Sequence, residues 1–240
     1  MPDRVTLDVI DRPAGGMLAV MRHARGARAC ADEALRALLV LGTGNFVVRL
    51  RPAPTPRRVA LLAVWDDGAD IEARWTAALG GLAAGARESW HVEAELVRAA
   101  FTGPWRDWTP DVTGARPLDL SEPALMIIAG DLHARHVPAF MRDVPGAVAH
   151  ALAQPGYLGG LAIINSPVNT TSVSCWRTYQ DARDYAFGPG GHADAMRRDR
   201  AAERHRTEWF IRLRPLLERG SLAGTAPLAP VLAQPAAPTA

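Results

Sequence analysis

The sequence predicts an α+β fold of two tandem ferredoxin-like βαββαβ units, each a sheet with helices on one face, the two bare faces packing together into a barrel-like core. Three observations predict it. The order strand, helix, strand, strand, helix, strand can be read twice along the 240 residues; each reading ends its third strand on a tryptophan, Trp65 and Trp176; and each meets a second tryptophan, Trp90 and Trp209, as it reaches its last strand. A hydrophobic content of 48% is enough for a core of that size.

In the first unit (1–106), Val5, Leu7 and Val9 alternate with polar residues, as in a strand exposed on one side. A helix is expected over 16–26 or 31–37. LLVLGTGNFVVRL (38–50) reads as a strand interrupted at Gly-Thr-Gly, because glycine breaks regular pairing. RPAPTPRR (51–58) reads as a proline-rich loop, VALLAVW (59–65) as a buried strand, 69–84 as a helix and SWHVEAELVRAAF (89–101) as the closing strand.

A linker over 107–123 is rich in Pro and Asp, which discourage regular structure. The second unit (124–219) then repeats the order. ALMIIAG (124–130) is a strand; a helix over 134–152 should break near Pro145; YLGGLAIIN (157–165) and TTSVSCW (170–176) are the central strands, joined by a turn around Pro167. A helical segment with Tyr185 and Phe187, a Gly-Pro-Gly-Gly break, a helix from His192 to about Arg204, and the strand TEWFIRLRPL complete it. The charge-free, Pro- and Ala-rich stretch 220–240 predicts a disordered tail.

Composition narrows the function classes. Lys+Arg number 27 against 25 Asp+Glu, a net charge of +2, too small a field to predict a nucleic-acid partner. Cys30 and Cys175 form neither a metal knuckle nor a disulfide framework, so a reducing cytoplasm is expected. The N-terminus lacks the layout of a secretory signal, and no apolar run reaches the roughly 18–20 residues of a membrane span. GTGNF (42–46) lacks the further glycine and setting of a dinucleotide fingerprint, and neither a phosphate loop nor a GxSxG elbow occurs.

SCWRTYQDARDYAF, GGHADAMRRDR and TEWFIRLRP, within 174–215, resemble the spheroidene monooxygenase family, which includes carotenoid ketolases. There a tryptophan-ended strand precedes an aromatic helix, a His-Ala-Asp/Glu-Ala element, a charged helix and a Trp-Phe pair. The similarity spans about residues 5–220 and is dense after residue 124. It implies a fused dimeric α+β barrel and a haem-dependent monooxygenase acting on a small hydrophobic or secondary-metabolite substrate. It further implies haem b, O2 and an external electron donor or redox partner. No CxxCH is present, so such haem would be noncovalent.

On that resemblance His192 is the candidate iron ligand, pointing into the barrel from a helix start after flexible glycines; the alternative is a histidine that only hydrogen-bonds a neighbour. Arg197, with Arg198 and Arg200, could meet haem carboxylates or simply face water, and Arg177 is a similar candidate. Trp176, Tyr185, Phe187, Trp209 and Phe210 could wall a cavity or fill the core. His136 and Tyr185 are candidates for moving protons. His133, His136 and His150 lack a zinc motif, His91 could face a first-unit cavity, and Cys175 reads as packing. Two rivals stay open: a cofactor-free oxygenase or isomerase on the same barrel, and a noncatalytic small-molecule-binding protein. A fused pair allows a monomer, and a homodimer is not excluded.

Overall fold

A computed structural model describes residues 3–13, 22, 34–45, 53–66, 70–77, 81–103, 108–166, 168–189 and 191–233. The first unit holds β1 (Arg4–Asp11), β2 (Leu35–Asn45), β3 (Ala53–Trp65), the short helices α1 (Ile71–Trp75) and α2 (Gly81–Ala83), and β4 (Glu88–Phe101). The second holds β5 (Ala124–Leu132), α3 (Val137–Leu152), β6 (Tyr157–Ser166), β7 (Asn169–Trp176), α4 (Tyr179–Phe187), α5 (Gly191–Ala201) and β8 (His205–Gly220), and α6 (Ala229–Leu232) follows.

The eight strands close one antiparallel barrel in the order β1-β3-β2-β6-β7-β5-β8-β4. Read around the ring, this is β4-β1-β3-β2 followed by its counterpart β8-β5-β7-β6 in reverse, so each half has the strand order of one βαββαβ unit. The β4–β8 seam pairs Trp90 with Gly220 and Phe101 with Trp209, the same pairing repeated about a local two-fold axis. The predicted α+β barrel is therefore the observed architecture.

Period-two alternation sends one face of every strand inward. Val5, Leu7 and Val9 of β1 meet Leu125 and Ile127 of β5, Leu161 of β6, Val173 of β7 and Trp209 of β8 in a single buried cluster. The polar face of β1 is covered too: Thr6 accepts a hydrogen bond from Trp65 Nε1 (3.0 Å), and Asp8 accepts from Trp75 Nε1 (2.9 Å) and His91 Nδ1 (2.7 Å). Burial first of all raises the Asp8 pKa, against the opposing pull of His91.

Several expectations are corrected. β3 begins at Ala53, not after a proline loop; Pro54 and Pro56 lie where its pairing with β1 has ended and its register with β2 is broken between Gly42 and Gly44, so few ladder bonds are lost to their missing N–H groups. The expected 69–84 helix is two short pieces, α1 and α2, with 78–80 outside the described residues. Of the alternative helices, 35–37 is strand and 16–26 lies outside the described residues except Arg22. α3 runs unbroken through Pro145, which costs the helix one N–H while its packing against α5 holds it in place. The Gly-Thr-Gly irregularity is present, as a register shift between Gly42 and Gly44.

The tail is also corrected over 221–233; residues 234–240 lie outside the described set. Leu222 and Leu228 join the barrel core, Leu228 with no exposed surface. The Glu218 carboxylate fastens this segment, accepting from Leu228 N (3.1 Å) and Trp90 Nε1 (2.6 Å). Trp108 of the linker is likewise buried, donating from Nε1 to Asp3 (3.0 Å). Leu228→Ala is expected to lower unfolding free energy by about 2–4 kcal/mol in a denaturant titration, where an unstructured tail would show no change.

Candidate functional site

The pairings Arg4↔Trp65 and Ala124↔Trp176 are one position in the two units, so the outer faces of the two sheets can be matched residue by residue. Val59, Leu61 and Ala63 of β3 correspond to Thr170, Ser172 and Ser174 of β7; Ile10 corresponds to Gly130, and His91 to Phe210. In the first unit Ile10, Val59, Leu61 and Ala63 pack with Ile71 and Leu82 into a buried outer cluster. In the second, with Ser172 in place of Leu61 and Gly130 in place of Ile10, a cavity of about 450 Å3 lies between the sheet and helices α3, α4 and α5. That volume lies within the usual range for small-molecule sites.

The hollow therefore sits outside the barrel, and the expectation of a histidine pointing into the barrel interior is corrected: that interior is filled by its own side chains. Phe140, Met141, Val144, Met196 and Phe210 give the cavity an apolar wall, and Thr170, Ser172 and Ser174 line its floor.

Aromatic rings make one side. Thr178 caps α4, accepting from Asp181 N (3.1 Å), so the helix starts directly after Trp176 and projects Tyr185 back over it. Tyr185 packs on Trp176 (5.0 Å between centroids), on His150 (5.4 Å) and nearly parallel to His192 (4.4 Å, 16°). Its hydroxyl donates to the Ala147 carbonyl (3.1 Å), and burial pushes its pKa up, so the phenol serves as a latch between α4 and α3. Trp176 donates to Ser174 Oγ (2.9 Å).

His192 lies in the first turn of α5 and lines the cavity. Burial, then the nearby His150 charge, push its pKa down to about 4. Its Nδ1 is buried with no hydrogen-bond partner. A neutral ring with an unused nitrogen is what an iron atom would require.

The other end of α5 carries a polar cluster that sequence reasoning missed. Asp199 lies two turns on from His192, about 10 Å along the helix at 1.5 Å per residue. Glu203, with φ of 45°, turns the chain sharply from α5 into β8 and sets His205 beneath Asp199. His205 Nδ1 donates to Asp199 Oδ2 (2.6 Å) and lies 3.4 Å from Glu208 Oε1. Arg204 donates to Asp143 of α3 (2.7 Å); burial alone would raise the Asp143 pKa, but Arg204 and Arg198 hold it below the ordinary range. The sequence signal is D-x5-H-x2-E, which is uninformative until the helix-to-strand turn is known.

Of the sequence candidates, His192, Trp176, Tyr185 and Phe210 meet at this cavity. The others lie elsewhere. Trp209 points into the barrel and donates to the Gly103 carbonyl (2.8 Å). Phe187 is 62% exposed. Arg197 faces solvent and pairs with Asp194 on its own helix, leaving it away from the cavity wall. His136 sits at the start of α3, accepts from Arg135 Nε (3.0 Å) and is not among the cavity residues. His91 is tied to Asp8, and Arg177 donates to the Pro155 carbonyl (2.8 Å). Cys175 packs in the barrel, where burial raises its pKa.

No family model matches the chain, and no curated protein matches it. Solved structures do. A protein from Fusobacterium nucleatum, provisionally named a monooxygenase, is 8% identical over 92% of this chain and 96% of its own, with a TM-score of 0.41. SnoaB from Streptomyces nogalater, a cofactor-independent oxygenase, is 11% identical over 44% of this chain and 96% of its own (TM-score 0.29). A heme-degrading enzyme from Listeria monocytogenes is 9% identical over 86% of this chain and 98% of its own (TM-score 0.30).

The depressed His192 pKa has a thermodynamic consequence. The unfolded chain takes up this proton below the ordinary value of 6.5 and the folded chain only near 4, so stability present above pH 6.5 is lost as pH falls toward 4. His192→Gln should remove this loss, so the wild-type-minus-variant stability difference shifts toward the variant by about 2 kcal/mol between pH 7 and pH 4, measured by denaturant titration.

Proposed function

We propose that this protein is a haem-dependent oxygenase acting on a small hydrophobic or secondary-metabolite substrate, with haem b held noncovalently in the second-unit cavity by His192. The supporting observation is His192, a cavity-lining ring that burial keeps neutral and whose buried Nδ1 has no hydrogen-bond partner, in a cavity with apolar walls. Haem, when bound, supplies the oxygen-activating chemistry, drawing on O2 and an external electron donor from a redox partner in a reducing cytoplasm.

The chain's own residues have separate tasks. Tyr185, latched to Ala147 and backed by Trp176, holds the His192 ring plane by stacking. Phe140, Met141 and Phe210 exclude water and orient an apolar body. The hydroxyls of Thr170 and Ser172 offer contacts to substrate oxygens on the cavity floor. Among the described residues no helix is long and apolar enough to cross a membrane.

A cofactor-free oxygenase or isomerase is the second reading, favoured by one observation: the guanidinium that lines the cavity, Arg204, is already held by Asp143 and Arg197 lies out on the surface, so haem carboxylates would have to compete for a cation. Titration of the purified chain with ferric haem separates the two. The expected result is a Soret band for wild type and at least about tenfold weaker haem binding by His192→Ala. Undiminished binding by the variant overturns the ligand, and a colourless protein that still oxygenates its substrate favours the second reading.

A further inference from the structure

His205 lines the same cavity as His192 but has no part in holding the proposed cofactor. Its ring is fixed from three sides. Asp199 Oδ2 accepts from Nδ1 (2.6 Å), Phe140 meets it edge to face at 5.6 Å, and the Gly130 backbone lies against its opposite edge. A Cβ on Gly130 would fall 2.5 Å from His205 Cδ2 and 3.0 Å from Nε2, so the strand leaves space here that in the first unit is taken by Ile10. With Nδ1–H committed to a carboxylate, Nε2 is the free base of the neutral ring, and no protein partner takes it among the described residues.

We infer that His205 is the proton-transfer group of this cavity, its Nε2 accepting a proton from an acidic O–H of an apolar ligand while Asp199 holds Nδ1–H. The ligand O–H bond breaks, its electron pair stays on oxygen, and the proton passes to Nε2. The resulting imidazolium faces Asp199 of α5 and Glu208 of β8, whose carboxylates offset its charge; Arg204 pairs with Asp143 of α3, which it shares with Arg198, and its Nε also lies 4.0 Å from Asp199. The Asp199 bond to Nδ1 gives this trio the arrangement of a hydrogen-bonded base, and its ligand atoms, all within 4.8 Å of one another, are also spaced to hold a metal ion. The ligand class is an apolar molecule with a weakly acidic hydroxyl, such as a phenol or an enol. This rests on the cavity as the binding site, but on neither haem nor oxygen.

Para-nitrophenol, an apolar phenol whose ionisation is visible by absorbance, is the probe. Added to the full chain without haem, it should bind saturably and ionise more readily when bound, its ionisation equilibrium favoured about tenfold or more over free solution. His205→Gln should abolish that gain while nitrophenol still binds. Asp199→Asn should reduce it at least about threefold, and Gly130→Ala, which displaces the ring, should do the same. Circular dichroism identifies any variant that does not fold, and nitrogen-15 shifts of the His205 ring in wild type give an independent reading, a bare Nε2 and a protonated Nδ1 being expected. No saturable binding, unchanged ionisation on binding, an equal gain in His205→Gln, or a protonated Nε2 in the neutral ring each overturns the proposal. A failed haem titration removes the role of His192 alone, because the phenol measurement contains no haem.

Discussion

Closing the barrel around its own apolar side chains is the constraint on which everything else depends. Eight strands leave an interior that side chains fill, and here they do, from Val5 on β1 to Leu213 on β8. With the interior occupied, any room for a ligand has to be found on the outside, beneath the helices. Both units face this condition with the same strand order, and they meet it differently.

In the first unit, aliphatic residues on β3 and Ile10 on β1 meet α1 and α2 directly, and a buried Asp8–His91–Trp75 group completes the layer. In the second, hydroxyl-bearing residues on β7 and a glycine on β5 recede from the helices, and the longer α3 and α5 span the gap. Among the described residues the strand order is the same in both units, while Leu61 and Ile10 of the first give way to Ser172 and Gly130 in the second. Each unit nonetheless keeps a tryptophan at the end of its third strand, whose indole nitrogen binds a nearby hydroxyl: Thr6 for Trp65 and Ser174 for Trp176.

The duplicated strand order was legible because tryptophans marked equivalent strands and alternation marked their faces. Local breakers misled. Proline was tolerated at the end of β3, where one neighbour is missing, and inside α3, where packing decides; the Pro/Ala-rich C-terminal stretch looked too polar-poor and irregular to order, yet two leucines and a carboxylate sufficed to dock it. At the site, His192, Tyr185 and Trp176 could be picked out because they recur in a recognisable pattern. Asp199, His205 and Glu208 could not, since their proximity is created by a turn at Glu203 that no residue-type preference announces. Which side of the sheet held the hollow was likewise invisible, because it depends on volumes summed across strands.

The β4–β8 seam has an evolutionary corollary. In an assembly of two identical chains, every substitution at this two-fold junction, or at Gly130, would be inherited by both halves at once, and a mutation that hollowed one layer would weaken its twin as well. Covalent linkage frees the halves from that obligation: one layer can stay packed while the other is hollowed, each substitution acting on a single half.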